Sequence, residues 1–227
     1  MPITLDRQYS FDNFISPEDS LVVDSLRGLV AGDGERLVGL WGASASGKTH
    51  LLNASADYAR HQGVTMQLYD GLQLRHCDAD ALLGGDEIDL LAIDNLDALA
   101  GDRAWESFIY RIINRCQAGE SRFLFSMSER PETLNVCLDD FRSRLQWGLL
   151  LQLPNSGEAE IRRILRRRAE LLGLHLSDEV IDYLLRHHAR DLGEQIHILQ
   201  RLDGASLTLK RRVTIPLVKQ ALAEYKD

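Results

Sequence analysis

The sequence predicts an α/β fold: a parallel sheet flanked by helices, followed by a small all-helical domain. Three observations carry this. Short apolar runs alternate with helical stretches through the first part of the chain. A glycine-bounded loop lies where one such run gives way to a helix. After Pro154 the apolar residues keep helical spacing with no strand-like run between them. Strands separated by helices pair in parallel, with the crossover helices covering both sheet faces. The expected domains are residues 1–154 (α/β) and residues 155–227 (helical).

Each element follows from local chemistry. Residues 1–15 have no regular pattern. Ser16 reads as an N-cap, Pro17 as the first helical residue, and Glu18 and Asp19 as acids in a first turn. That helix should run to about Val30, where Ala31, Gly32, Asp33 and Gly34 end it. Residues 36–41 form an apolar run between glycines, the mark of a buried strand. A helix is predicted over 48–62, a strand over 64–69, and a further apolar run over 88–93 that ends in Asp94. Residues 105–116 read as helix and 122–126 as strand. Beyond Pro154, Asn155, Ser156 and Gly157, helices are predicted over 158–172, 177–188, 191–209 and 215–225, with Ser177, Asp178 and Glu179 forming a cap.

Composition narrows the functional classes. Hydrophobic residues at 44% and charged residues at 26% are ordinary for a folded domain. No apolar run approaches the roughly 20 residues a membrane span needs, and the first residues lack the apolar core of a secretory signal. A cytoplasmic protein without a membrane partner is the expectation. Cys77, Cys116 and Cys137 match neither a disulfide framework nor a paired metal-ligand spacing. A net charge of −8 argues against direct DNA binding, which rests on Lys and Arg neutralising phosphates. The basic run Arg162, Arg163, Arg166, Arg167 and Arg168 spreads around a helix and reads as a solvated face with acidic neighbours.

The chemistry concentrates in one loop. Gly42, Ala43, Ser44, Ala45, Ser46, Gly47, Lys48 and Thr49 fit the spacing G-x-x-x-x-G-K-[ST], with a strand before and a helix after. Glycines let successive backbone N–H groups face a polyphosphate, and the following helix N-terminus adds partial positive charge. ADP or ATP is the expected ligand. Lys48 would reach the β- and γ-phosphates, while Thr49 and the strand-end acid Asp94 would hold Mg²⁺. The residue after Asp94 is Asn95, an amide that cannot take a proton from water. Slow intrinsic hydrolysis is therefore predicted.

The motifs resemble those of the DnaA-related AAA+ family, and more closely its Hda group. Ser10, Phe11, Asp12, Asn13 and Phe14 resemble the family's N-terminal box, where aromatic residues border adenine. Gly47, Lys48, Thr49, His50, Leu51 and Leu52 look like its extended phosphate-loop signature. Residues 143–149, Ser-Arg-Leu-Gln-Trp-Gly-Leu, are similar to the box with the arginine finger. Arg190, with Asp191 and Leu192, falls where the family has a lid arginine. Ala100, Gly101, Trp105 and Glu106, residues 202–206 and residues 214–219 favour the Hda group over DnaA.

The resemblance implies a AAA+ sheet domain with a helical lid and a role in restraining DnaA. It makes Arg144 a finger acting in trans on a neighbour's nucleotide. Phe14 and Ile15 would lie near adenine, Ser128 in the sensor I region, and Arg190 on a phosphate of the chain's own nucleotide. It implies DnaA as partner, self-association, and a DNA-loaded sliding clamp, although residues 1–10 do not align with the family's clamp-binding peptide. Closely similar regulators often carry Arg where this chain has Lys48. No residues follow for the DNA-binding domain that DnaA has. Two other readings stand beside the regulator at this point: an independent AAA+ ATPase acting as helicase loader or DNA remodeller, and a nucleotide-stabilised scaffold.

Overall fold

The structure is a computed structural model, which describes residues 9–14, 19–79, 88–154, 157–187, 198–199, 202 and 213–223. The described residues divide into two compact units. One runs to Pro154 without Ser44–Ser46, and the other takes those three residues with the chain from 157 onward.

The first unit is built on five parallel strands: β1 (Leu37–Trp41), β2 (Met66–Asp70), β3 (Leu90–Asp94), β4 (Arg122–Met127) and β5 (Leu149–Gln152), in the order β2-β3-β4-β1-β5. Residues along a strand alternate between the two faces. On one face Leu37, Leu91, Ile93, Phe123 and Phe125 join a core with α4 (Arg103–Gln117) and α5 (Phe141–Leu145). On the other, Val38, Leu40, Leu90, Ala92 and Leu124 pack with α1 (Asp19–Ala31) and α2 (Lys48–Gln62). A one-turn helix, α3 (Gly71–Leu74), follows β2 directly.

Register at the carboxyl edge matters for function. Trp41 pairs with Met127, and Asp70 pairs with Asp94. The ends of β1, β2, β3 and β4 thus lie along one rim, where open α/β sheets place their ligands.

Expected elements and observed ones differ in places. β2 starts at Met66 rather than 64, because Val64 and Thr65 serve as connection: Val64 N–H closes onto Ala59 O at 2.9 Å and Thr65 takes Asp89 Oδ2 at 2.9 Å. β5 was not anticipated. Its glycine neighbour Gly148 comes so close to β1 that a Cβ there would meet Leu37 O at 2.2 Å, and the strand occupies that sheet edge. The cap expected at Ser16–Glu18 and the first eight residues lie outside the described residues.

The second unit contains α6 (Glu158–Leu171), α7 (Asp178–His187) and a helix at Ile215–Ala223 around a core that includes Leu165, Ile181, Leu184 and Val218. Ser177 Oγ accepts from Val180 N–H at the start of α7 (3.4 Å). Part of the arginine-rich run on α6 is solvated and ion-paired as expected. Arg168, however, is buried, because it turns to the side of the helix that carries Leu165 and Ala169. Arg162 bonds Glu158 and Asp182, and Arg166 bonds Asp178. Most of the predicted helix over 191–209 lies outside the described residues.

Candidate functional site at the phosphate loop

The loop leaves β1 at Gly42 and enters α2 at Lys48. Gly47 has φ 99°, in the left-handed region, and a Cβ there would lie 2.7 Å from the Phe14 ring. Both conditions call for glycine. Ala45 adopts φ 60° without being glycine, a conformation that costs energy and recurs where backbone must face a ligand. Gly47 makes no side-chain cap on α2, so the first turn of a 15-residue helix is left without that acceptor.

Lys48 is buried, and its Nζ donates to Gly42 O (2.6 Å) and Ala43 O (2.7 Å). The ammonium thus lies folded across the loop. Burial holds its pKa below the usual lysine range, against the opposing pull of Asp94 and Asp97. Buried Ser46 Oγ has no hydrogen-bond partner among the described residues. A buried hydroxyl without a partner, an ammonium bonded only to neutral carbonyls, and an uncapped helix start together fit a polyphosphate.

Asp94 ends β3 and is 3% exposed. Its Oδ2 accepts from Thr49 Oγ1 at 2.6 Å, and its Oδ1 accepts from Ser126 Oγ. Ser126 Oγ in turn accepts from Asn95 N–H at 2.9 Å. The hydroxyl–carboxylate pair could hold a Mg²⁺ ion, with Ser126 orienting the acid from behind. Among the described residues no cluster of three or more His, Cys, Asp or Glu could hold a metal alone.

Four further residues complete the rim. Asn95, at φ 54°, donates through Nδ2 to Asp70 Oδ1 at 3.0 Å, so an amide–carboxylate pair bridges the tips of β3 and β2. Asp97 accepts from Ser128 N–H (3.2 Å) and from Ser128 Oγ. Ser128 is exposed and directed to Asp97.

On the N-terminal side, His50 Nε2 meets Ser10 O at 2.9 Å, and the Phe14 ring centroid lies 5.5 Å from that of His50. Phe14 therefore borders Gly47 and His50. Phe11 turns away into the core, edge-on to Tyr58, and staples the segment. Ile15 and Arg190 lie outside the described residues.

Sequence reading missed Ser126 and Asp70 as members of this rim. Ser126 had a signal, since it is a fully buried hydroxyl at the end of an otherwise apolar run. Asp70 had none, because only the β2–β3 register brings it beside Asn95.

Arg144 is on α5. It donates to Asn114 Oδ1, and its guanidinium lies 4.1 Å from the ring centroids of both Tyr110 and Trp147.

Known structures share this architecture. Domain III of the replication initiation protein DnaA from Thermotoga maritima is 20% identical, with a TM-score of 0.79 over 98% of this chain and 99% of that one. AMPPCP-bound DnaA from Aquifex aeolicus is 23% identical, with a TM-score of 0.70; the match covers 86% of this chain and 64% of that one. At such identities these likenesses establish the fold. Residues 158–222 match the family model for the Hda lid domain. The chain thus has the AAA+ fold of these structures, with a stretch similar to the Hda lid domain after its sheet unit. The AAA+ fold extends to the Thermotoga maritima RuvB Holliday junction branch migration motor, 23% identical with a TM-score of 0.67 over 96% of this chain and 72% of that one. No helix among the described residues is long and apolar enough to cross a membrane.

Proposed function

We propose that this chain binds ADP or ATP with Mg²⁺ at the Gly42–Thr49 loop and limits re-initiation of chromosome replication by stimulating hydrolysis of the ATP held by DnaA. The observation that carries the reading is a division of labour. Lys48, Thr49 and Asp94, which this reading makes the grip on phosphate and cation, lie at one rim. The residue that follows Asp94 is an amide, Asn95, which cannot activate water. The candidate finger Arg144 stands on a different element. The Hda lid match and the AMPPCP-bound DnaA of the same fold support the reading.

In this scheme Lys48 releases its two loop carbonyls and neutralises phosphate charge. Thr49 and Asp94 hold the cation, which would supply charge neutralisation between the phosphates. Asn95 ties up Asp70, so this chain turns over its own nucleotide slowly. Arg144 supplies to the partner's nucleotide a guanidinium of the kind worth about 10³–10⁵ in rate when it reaches a transferring phosphoryl group.

The deciding experiment is turnover of ATP pre-loaded on DnaA, with and without this chain. Stimulation by the wild-type protein, lost in Arg144→Ala while calorimetry shows unchanged Mg·ADP affinity, is the expected result. Equal stimulation by Arg144→Ala would remove that residue from the mechanism. No stimulation by wild type would sink the function.

A further inference from the structure

Arg144 has an unusual set of partners. Its guanidinium carbon lies 4.1 Å from the Tyr110 ring centroid and 4.1 Å from that of Trp147. Nη1 donates to Asn114 Oδ1, and buried Nε has no hydrogen-bond partner among the described residues. Tyr110 and Asn114 are four residues apart on α4 and therefore share one face of that helix. Among the described residues this cation's partners are all neutral: two π-systems and an amide oxygen.

We infer that Tyr110, Asn114 and Trp147 are positioning residues that hold Arg144 ready for a phosphate oxygen of a nucleotide bound by a neighbouring chain. The inference rests on the function proposed above. Rings stacked on a guanidinium fix the plane of its fork, and an amide acceptor fixes the rotation of the fork within that plane. A carboxylate would hold the arginine equally well, but it would spend the charge that an anion has to meet. Neutral partners order the side chain and leave its charge available. The unpartnered Nε is a stability cost that a purely structural arginine would have no reason to carry. Because the rotamer freedom of a long side chain is lost before the partner arrives, the effect should fall on the catalysed step.

The test uses full-length wild type, Tyr110→Leu and Tyr110→Phe, titrated against DnaA loaded with ATP. Tyr110→Leu should lower the maximal stimulation about tenfold or more, because a misplaced group of this kind costs up to about 10²-fold. The amount of chain needed for half the effect should hardly move, and Tyr110→Phe, which keeps the ring, should behave like wild type. Unchanged maximal stimulation by Tyr110→Leu would make the ring mere packing. A rise would mean that it withholds Arg144. Either overturns the inference while wild-type stimulation, and with it the proposed function, stands. A second arm needs no partner: modification of Arg144 by phenylglyoxal, followed by mass spectrometry. It should be slower in wild type than in Tyr110→Leu, and equal rates would overturn the arrangement itself.

Discussion

Asp94 is a carboxylate almost wholly withdrawn from water, and its hydrogen-bond partners are two hydroxyls, Thr49 and Ser126. Burying a charge is expensive unless it meets a counter-charge, and hydroxyls only partly offset that cost. The Lys48 ammonium already attracts this carboxylate, and a bound cation would add a second counter-charge. Asp94→Asn should therefore leave the nucleotide-free protein at least as resistant to heat as wild type, while calorimetry shows the magnesium-dependent gain in nucleotide affinity gone. Retention of that gain would remove Asp94 from the cation site. Ser126→Ala acts one step back: it should lower magnesium-dependent affinity about tenfold or more, as loss of a group that orients a metal ligand does. At this scale the sequence was legible wherever chemistry is local. Gly42, Lys48, Thr49 and Asp94 declare themselves by spacing along the chain. Asp70 matters only because strand register carries it to the same rim, and a linear pattern holds no information about register.

The elements nearest Arg144 depend on a buried acid that pattern reading passes over. Glu106 stands in the first turn of α4, is 0% exposed, and accepts from the backbone N–H groups of Gly101 (2.8 Å), Cys137 (2.9 Å) and Leu138 (2.8 Å). It ties the turn before α4 to the segment leading into α5, whose own start is held by Phe141 N–H on Leu138 O at 3.0 Å. Glu106→Leu would strip acceptors from three backbone donors, each worth about 1–3 kcal/mol when buried and unmet. Urea unfolding should show a loss of about 3 kcal/mol or more, and Glu106→Gln, which keeps one acceptor oxygen, a smaller one. A loss no larger than that of an ordinary surface substitution would show that the segment holds itself. Helices α4 and α6 were readable from periodicity to within about two residues, because each buries one face and turns the other to water. Helix α2, buried all round from His50 to Ala56, was instead placed by the loop motif before it. β5 escaped notice because it is only four residues long, Leu149–Gln152, and lies at a sheet edge.

Across the whole molecule, the three thiols offer a measure of how the sheet unit opens. Cys77 and Cys137 are exposed, whereas Cys116 is 2% exposed in the core shared by α4 and the sheet, with its Sγ 3.5 Å from Ser121 Oγ. Burial pushes the Cys116 thiol above its ordinary 9.0, with Ser121, Arg36 and Arg115 opposing. The unfolded chain would ionise this group at the ordinary value. The stability it contributes is therefore whole below pH 9.0 and lost as pH climbs through the raised folded value. A thiol reagent at neutral pH should modify Cys77 and Cys137 at once and Cys116 only through opening, with the Cys116 rate rising more steeply than the others above pH 9.0. Exposing Cys116 means parting α4 from β4, and β4 is hydrogen-bonded to both β3 and β1, the strands that lead to Asp94 and to the phosphate loop. If that opening also dissolves the nucleotide site, Mg·ADP at about 100 times its Kd should slow Cys116 modification about a hundredfold, equivalent to about 2.7 kcal/mol, and Lys48→Ala should abolish the protection. Protection of Cys116 without dependence on Lys48 would place the nucleotide elsewhere. Binding without protection would mean that α4 parts from a sheet that stays intact, so that the Arg144 platform opens independently of the rim that grips phosphate.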